Sequence, residues 1–169
     1  ALSQKMMSQQ FNKDLFNSKT VVLASDGCIM EGITSEASSL AGHLKLDNLI
    51  VIYDANDICL DGPIDECLSE DTKMRYESYG WYVQTIDGHS FPMIEKSIEK
   101  AKASNQPSLI IAKTVIGKGS PNLEGSSEVH GKAMGEKEVN LPNSFYNIPM
   151  EPLFFVPESV SDFFNSKQK

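Results

Sequence analysis

Hydrophobic and polar positions along the chain switch between two periods. Four short apolar runs have the length of strands: TVVLA (20–24), LIVIY (49–53), WYVQTI (81–86) and SLIIAKTV (108–115). The segments between them carry helical spacing. Residues 30–45 place Ile33, Ala37, Leu40, Ala41 and Leu44 on one helical face. Residues 70–80 predict a helix closed by Gly80, a suitable residue just past a helix end. Residues 91–103 predict another, with Ser90 as N-cap and Pro92 in its first turn. Residues 1–16 read as the end of a helix. Beyond 115 the period fades into a Gly- and Ser-rich loop, IGKGSPNLEGSSEVHGKAMG, and a short helix is expected after Pro157. Strands alternating with helices predict an α/β fold, a parallel sheet with helices on both faces. Successive strands joined by one helix are expected to be neighbours.

Composition narrows this picture. The chain has 169 residues, 40% of them hydrophobic, enough for one domain with its own core. A formal net charge of -8 and a pI near 4.8 oppose binding to nucleic acid or anionic membranes. No apolar run reaches the length of a membrane span. The first residues show no basic region followed by an apolar block, so no secretory signal is expected. The chain starts without Met, inside a helical pattern, and is expected to be a piece of a longer protein. Cys28, Cys59 and Cys67 fit no zinc spacing and read as free thiols of a reducing, cytoplasmic compartment.

Candidate chemistry begins where the first strand ends, at Ser25-Asp26-Gly27. Asn56 follows the second strand, about thirty positions later. If the two strands are adjacent, their ends lie about 5 Å apart. Asp26 and Asn56 both offer oxygen, which suits a hard cation such as magnesium at about 2.1 Å. Magnesium keeps positions open for phosphate oxygens, Gly27 lets backbone approach a phosphate, and a following helix presents free N–H groups. On the residues alone, Asp26 and Asn56 also fit ordinary caps and turns.

The stretch SDGCIMEGITSEASSLAGHLKLDNLIVIYDANDICLDG (25–62) resembles the thiamine diphosphate motif of transketolases, a Gly-Asp-Gly followed about thirty residues later by Asn. RYESYGW and SEVHG match further transketolase segments in the expected order, and the resemblance runs from about residue 1 to the end. It implies thiamine diphosphate and Mg2+ as cofactors, with Ca2+ or Mn2+ as possible substitutes. It makes Asp26 and Asn56 metal ligands, joined by the main-chain carbonyl of Ile58. Gly27 and Asn56 would meet the diphosphate. His130 would act near the diphosphate and the sugar substrate, in binding and in catalysis. Glu31 and Glu36 would be carboxylates of a dimer interface. The implied reaction is transfer of a two-carbon ketol unit between sugar phosphates, by a cytoplasmic homodimer whose partner supplies a pyrimidine-binding domain.

On this reading residues 1–169 are a single partial domain, with an active-site loop at 120–135 and a C-terminal tail at 136–169. The segment alone is expected to have little or no activity. Dihydroxyacetone synthase, phosphoketolase, the N-terminal subunit of a split transketolase, and a non-catalytic dimerisation module are the alternatives. Ser25 stands where the family usually has Gly, which matters only if the turn needs a positive φ. His43 reads as structural or interfacial, His89 as a loop residue, and Lys118 as a loop cation, because IGKGS lacks the full phosphate-loop frame.

Overall fold

In the computed structural model the described residues are 1–135, 138–139, 145–149, 151–152 and 154–167. Parts of the tail expected at 136–169 therefore lie outside the described residues. Strands β1 (Thr20–Ser25), β2 (Leu49–Ala55), β3 (Tyr82–Asp87) and β4 (Ser108–Lys113) form one parallel sheet in the order β1-β2-β4-β3. The strands joined by one helix are not all neighbours, since β4 lies between β2 and β3. Burial accounts for the order. Five of the six β4 residues are buried, so its near-continuous apolar run belongs in the middle, while the mixed sequences of β1 and β3 take the edges.

Around the sheet run helices α1 (Leu2–Gln10), α2 (Asp26–Met30), α3 (Gly32–His43), α4 (Thr72–Ser78), α5 (Phe91–Ala103) and α6 (Glu158–Asn165). The helix expected over 1–16 stops at Gln10, and beyond it the Asn12 side chain accepts the Asp14 N–H at 2.8 Å, an Asx-type turn. The helix expected over 30–45 is α3, shorter at both ends, and Met30 instead closes the separate helix α2. Glu31 adopts an extended conformation (φ −63°, ψ 134°) and separates α2 from α3. Gly80 follows α4 with φ +83°, as expected for a residue past a helix end. Ser90 sits at the N-cap of α5, but its hydroxyl makes no capping bond. Strand β4 ends before Thr114 because the Val115 N–H turns to His89 Nε2 (2.9 Å) and leaves the ladder.

The sheet separates two apolar layers. One contains Ile29, Ala41, Tyr53, Tyr76, Trp81, Leu109 and Ile111 and holds α2, α3 and α4. The other contains Ile50, Ile86, Ala101, Ile110 and Ala112, with Ile52, Ile94 and Ile98 against it, and holds α5. Most of the stripe predicted over 30–45 faces away from the first layer: Ile33 is 68% exposed and Leu40 52%, and only Ala41 of that stripe joins Ser38 and Gly42 in meeting the sheet and α4. Small residues let the helix approach closely, and a Cβ on Gly42 would fall 1.8 Å from the Tyr79 carbonyl oxygen.

Candidate functional site

The adjacent carboxyl ends of β1 and β2 build the site. Ser25 pairs with Asp54 in register, so Asp26 and Asn56 emerge side by side. Asp26 opens α2 and is buried, 1% exposed. Its Oδ1 accepts from the Tyr53 hydroxyl at 2.5 Å, and its Oδ2 accepts the Asn56 N–H at 3.2 Å. The thirty-residue spacing thus brings the two predicted residues into direct contact, through the Asn56 backbone. Burial pushes the Asp26 carboxyl above its ordinary pKa, and the two hydrogen bonds only partly oppose that. Burial and the bond to Asp26 push the Tyr53 hydroxyl up as well, so it stays a donor. None of the ion pairs among the described residues involves Asp26.

The loop after β2 supplies further oxygens. The Asn56 amide oxygen accepts the Ile58 N–H at 3.0 Å across Asp57, whose left-handed φ of 62° an aspartate tolerates. Ile58 pairs with Pro63 in an isolated antiparallel bridge. The bridge is carried by the Cys59 N–H to Gly62 O (2.8 Å) and the Ile64 N–H to Asp57 O (3.0 Å), which leaves the Ile58 carbonyl outside the ladder. At Gly27 no described residue beyond its chain neighbours and its own helix backbone lies within 4 Å of an added Cβ, and φ is not positive. The fold itself does not require glycine there, so the open space is available to an external group.

These residues fit a hard divalent cation. A buried carboxylate without a cation is costly, and an amide oxygen and a free carbonyl are neutral oxygen donors beside it. A single carboxylate leaves a divalent charge half neutralised, which an anionic ligand such as a diphosphate would complete. Ser25 is extended (φ −106°, ψ 176°), a conformation open to any residue, so a serine at this turn strains nothing.

Beside this pair lies a cleft of about 710 Å³. Ser25, Cys28, Asp54, Asn56, His89 and Thr114 line its polar part, and Leu23, Ile52 and Ile110 are among the apolar residues lining the rest. His89 is thus a cleft residue as well as a loop residue. The Asp54 carboxylate accepts from the Thr114 hydroxyl and, at 3.4 Å, from the Asn56 side chain.

His130 follows a short 3-10 turn, Ser127–Val129, and its N–H returns to Ser127 O at 3.0 Å. It is half-buried, and among the described residues its buried Nδ1 has no partner. No hydrogen bond among the described residues links His130 to Asp26 or Asn56. The connection is indirect, since Val129 packs on Gly117 and Gly117 lines the cleft. Glu31 and Glu36 are both exposed, Glu31 at the α2–α3 break and Glu36 on α3. The lysine of IGKGS, Lys118, is exposed and lies outside the lining of the cleft.

Two residues that sequence reasoning passed over hold the site from behind. Tyr53 reads as one more strand residue, although a tyrosine in an aliphatic run signals a polar tip needing a partner. Arg75 donates to Ile29 O and to Ser35 Oγ, both at 3.0 Å, and pairs with Glu70 at 3.0 Å, tying α2 to α3 and α4. Nothing in its local sequence marks that role.

The model of the family described as "Transketolase, thiamine diphosphate binding domain" matches residues 1–169. The transketolase of Staphylococcus epidermidis is 49% identical over 170 residues, covering 98% of this chain and 26% of that protein. The crystal structure of transketolase from Campylobacter jejuni superposes with a TM-score of 0.93 at 40% identity, over 96% of this chain and 26% of that one. Transketolase from Pichia stipitis, solved in complex with sedoheptulose 7-phosphate, gives a TM-score of 0.91 at 37% identity, over 98% and 25%. The chain spans about a quarter of the length of these relatives. With 96% of its length superposed on the Campylobacter jejuni enzyme and residues 1–169 matched by the family model, the chain belongs to the transketolase thiamine diphosphate-binding domain family.

Proposed function

We propose that this chain is the part of a transketolase that holds Mg2+ and the diphosphate of thiamine diphosphate. The observation that carries the reading is Asp26, a buried carboxylate that is hydrogen-bonded but has no ion-pair partner among the described residues. A charge so placed calls for a cation. Asp26, the Asn56 amide oxygen and the Ile58 carbonyl are the metal donors in this reading. Gly27 leaves room for the diphosphate, and Asn56 serves both groups. Ca2+ or Mn2+ would substitute for Mg2+ as hard, oxygen-seeking ions.

Thiamine diphosphate, when bound, supplies the carbanion chemistry of two-carbon ketol transfer from a ketose phosphate to an aldose phosphate. The residues of this chain bind and orient it. His130 brings a half-buried imidazole whose Nδ1 has no partner among the described residues, fit to hydrogen-bond substrate or to pass a proton. The sugar phosphate bound by the Pichia stipitis relative supports the substrate class. The outward apolar residues of α3, flanked by the exposed Glu31 and Glu36, support a homodimer. In this reading the partner supplies the pyrimidine-binding domain and the enzyme is cytoplasmic.

Calorimetry on the complete natural chain tests the site. Thiamine diphosphate should bind with Mg2+ and far more weakly without it, and Asp26→Ala should abolish the metal-dependent part. Unchanged metal-dependent binding in Asp26→Ala overturns the assignment. The 169-residue segment by itself should turn over no ketose phosphate.

A further inference from the structure

Asp26 has four lone-pair positions, and two are filled: the Tyr53 hydroxyl takes one on Oδ1 and the Asn56 N–H one on Oδ2. The two donors differ in kind. Asn56 sits on a loop that carries its own proposed ligand atoms, whereas Tyr53 comes from inside the sheet. Its ring is 5% exposed and packs in the layer of Ile29, Ala55 and Leu109. Strand register fixes it further, with Ala24 beside it on β1 and Ile111 on β4. A ring held on both flanks cannot swing, so the sheet determines where its hydroxyl stands. An aspartate carboxylate left alone has a broad, two-fold torsional preference about its last bond. One bond to a fixed donor removes that freedom.

We infer that Tyr53 is a positioning residue of this site: its hydroxyl, anchored by the sheet, locks the rotation of the Asp26 carboxylate so that the remaining lone pairs are set for a cation. The inference rests on the metal-binding reading of Asp26. Tyr53 touches neither metal nor cofactor in this role. Its counterpart in other metalloproteins is the outer hydrogen-bond partner that orients a ligating side chain, whose loss typically weakens metal binding about 10–100-fold.

The test uses the complete natural chain carrying Tyr53→Phe, which keeps the ring and removes the hydroxyl. Magnesium is titrated at fixed thiamine diphosphate by calorimetry, and thiamine diphosphate is titrated at saturating magnesium. Ile50→Val serves as control, since it removes one methyl group from the layer on the other side of the sheet, at a residue that does not line the cleft. The expected result is an Mg2+ Kd raised about 10–100-fold in Tyr53→Phe, a cofactor Kd at saturating metal within about two-fold of wild type, and neither constant moved in Ile50→Val. An Mg2+ Kd in Tyr53→Phe within about two-fold of wild type overturns the inference. An equal loss in the control also overturns it, since the effect would then be one of stability alone. If wild type shows no magnesium-dependent binding, or Asp26→Ala retains it, the underlying reading fails instead. Should Tyr53→Phe not fold, wild-type protein labelled with 3-fluorotyrosine replaces it. The Tyr53 19F resonance should then shift on adding magnesium alone, and an unmoved resonance overturns the inference.

Discussion

The two faces of the sheet are built differently. On one, α2, α3 and α4 seal Tyr53, Ala55, Leu109 and Ile111 under Ile29, Ala41, Tyr76 and Trp81. On the other, α5 covers β3 and β4 through Ile94, Ile98 and Ala101, and stops there. The β1 end of that second face lies bare: Leu23 is 79% exposed and Val21 57%. Both point to the same side as Ile52 and Ile50, their register partners. The sealed face fixes Asp26 from behind through Tyr53 and Arg75, while the open face carries the cleft. Rigidity and access are thus divided between two sides of one sheet, and the division comes from where one helix ends.

The largest effect that could break this contrast is in the core. Leu109 is fully buried in the sealed layer, so Leu109→Ala should cost about 3 kcal/mol in urea unfolding. Leu23→Ala, on the open face, should change stability by less than about 0.5 kcal/mol. Equal costs would mean that Leu23 is covered after all, and that the two faces do not differ.

Helix α3 repeats the contrast within one element. Gly42→Ala drives a Cβ into the Tyr79 carbonyl, a backbone atom that cannot turn aside, and should cost about 1–3 kcal/mol. Ile33→Ala, on the outward stripe, should stay within about 0.5 kcal/mol. A small cost at Gly42 would show that α3 can back away from α4, and the sealed face would then be looser than its packing indicates.

This helix also shows how far a sequence can be read. Periodicity identified an apolar stripe on residues 30–45 but not what the stripe faces. The side that meets the sheet is written in small residues, Ser38, Ala41 and Gly42, whose signal is closeness of approach, not hydrophobicity. Spacing did suffice for the Asp26–Asn56 contact, because parallel neighbouring strands place their ends together wherever the intervening helix runs. It did not suffice for Tyr53, whose role depends on register: Tyr53 lies beside Ala24, two residues before Asp26, a relation no local pattern contains. Nor did alternation of strands and helices reveal that β4 would enter between β2 and β3, since strand order reflects the relative burial of all four strands. The break at Glu31 was hidden because both sides of it are helical.

The smallest expected effect divides two consecutive residues of α2. Ile29 is sealed in the core, and Cys28 beside it is exposed and lines the cleft. The Ser25 hydroxyl lies 3.3 Å from the Cys28 sulfur and holds its thiol below the ordinary value of 9.0. Cys67, also exposed, is held above that value by partial burial and by the neighbouring Cys59. The thiolate is the nucleophile, so a lowered pKa raises the reactive fraction below pH 9.0 and a raised one reduces it. Intrinsic nucleophilicity falls along with pKa, which trims the advantage to about a few-fold. Alkylation by iodoacetamide, followed by peptide mass spectrometry across about pH 6.5–9.5, should label Cys28 before Cys67 and show an earlier midpoint for it. Ser25→Gly deletes the hydroxyl and should move the Cys28 midpoint back up. If Cys28 keeps its lead in that variant, the serine is not its cause, and if thiamine diphosphate with magnesium leaves its labelling rate unchanged, the cofactor does not occupy the open side of the sheet.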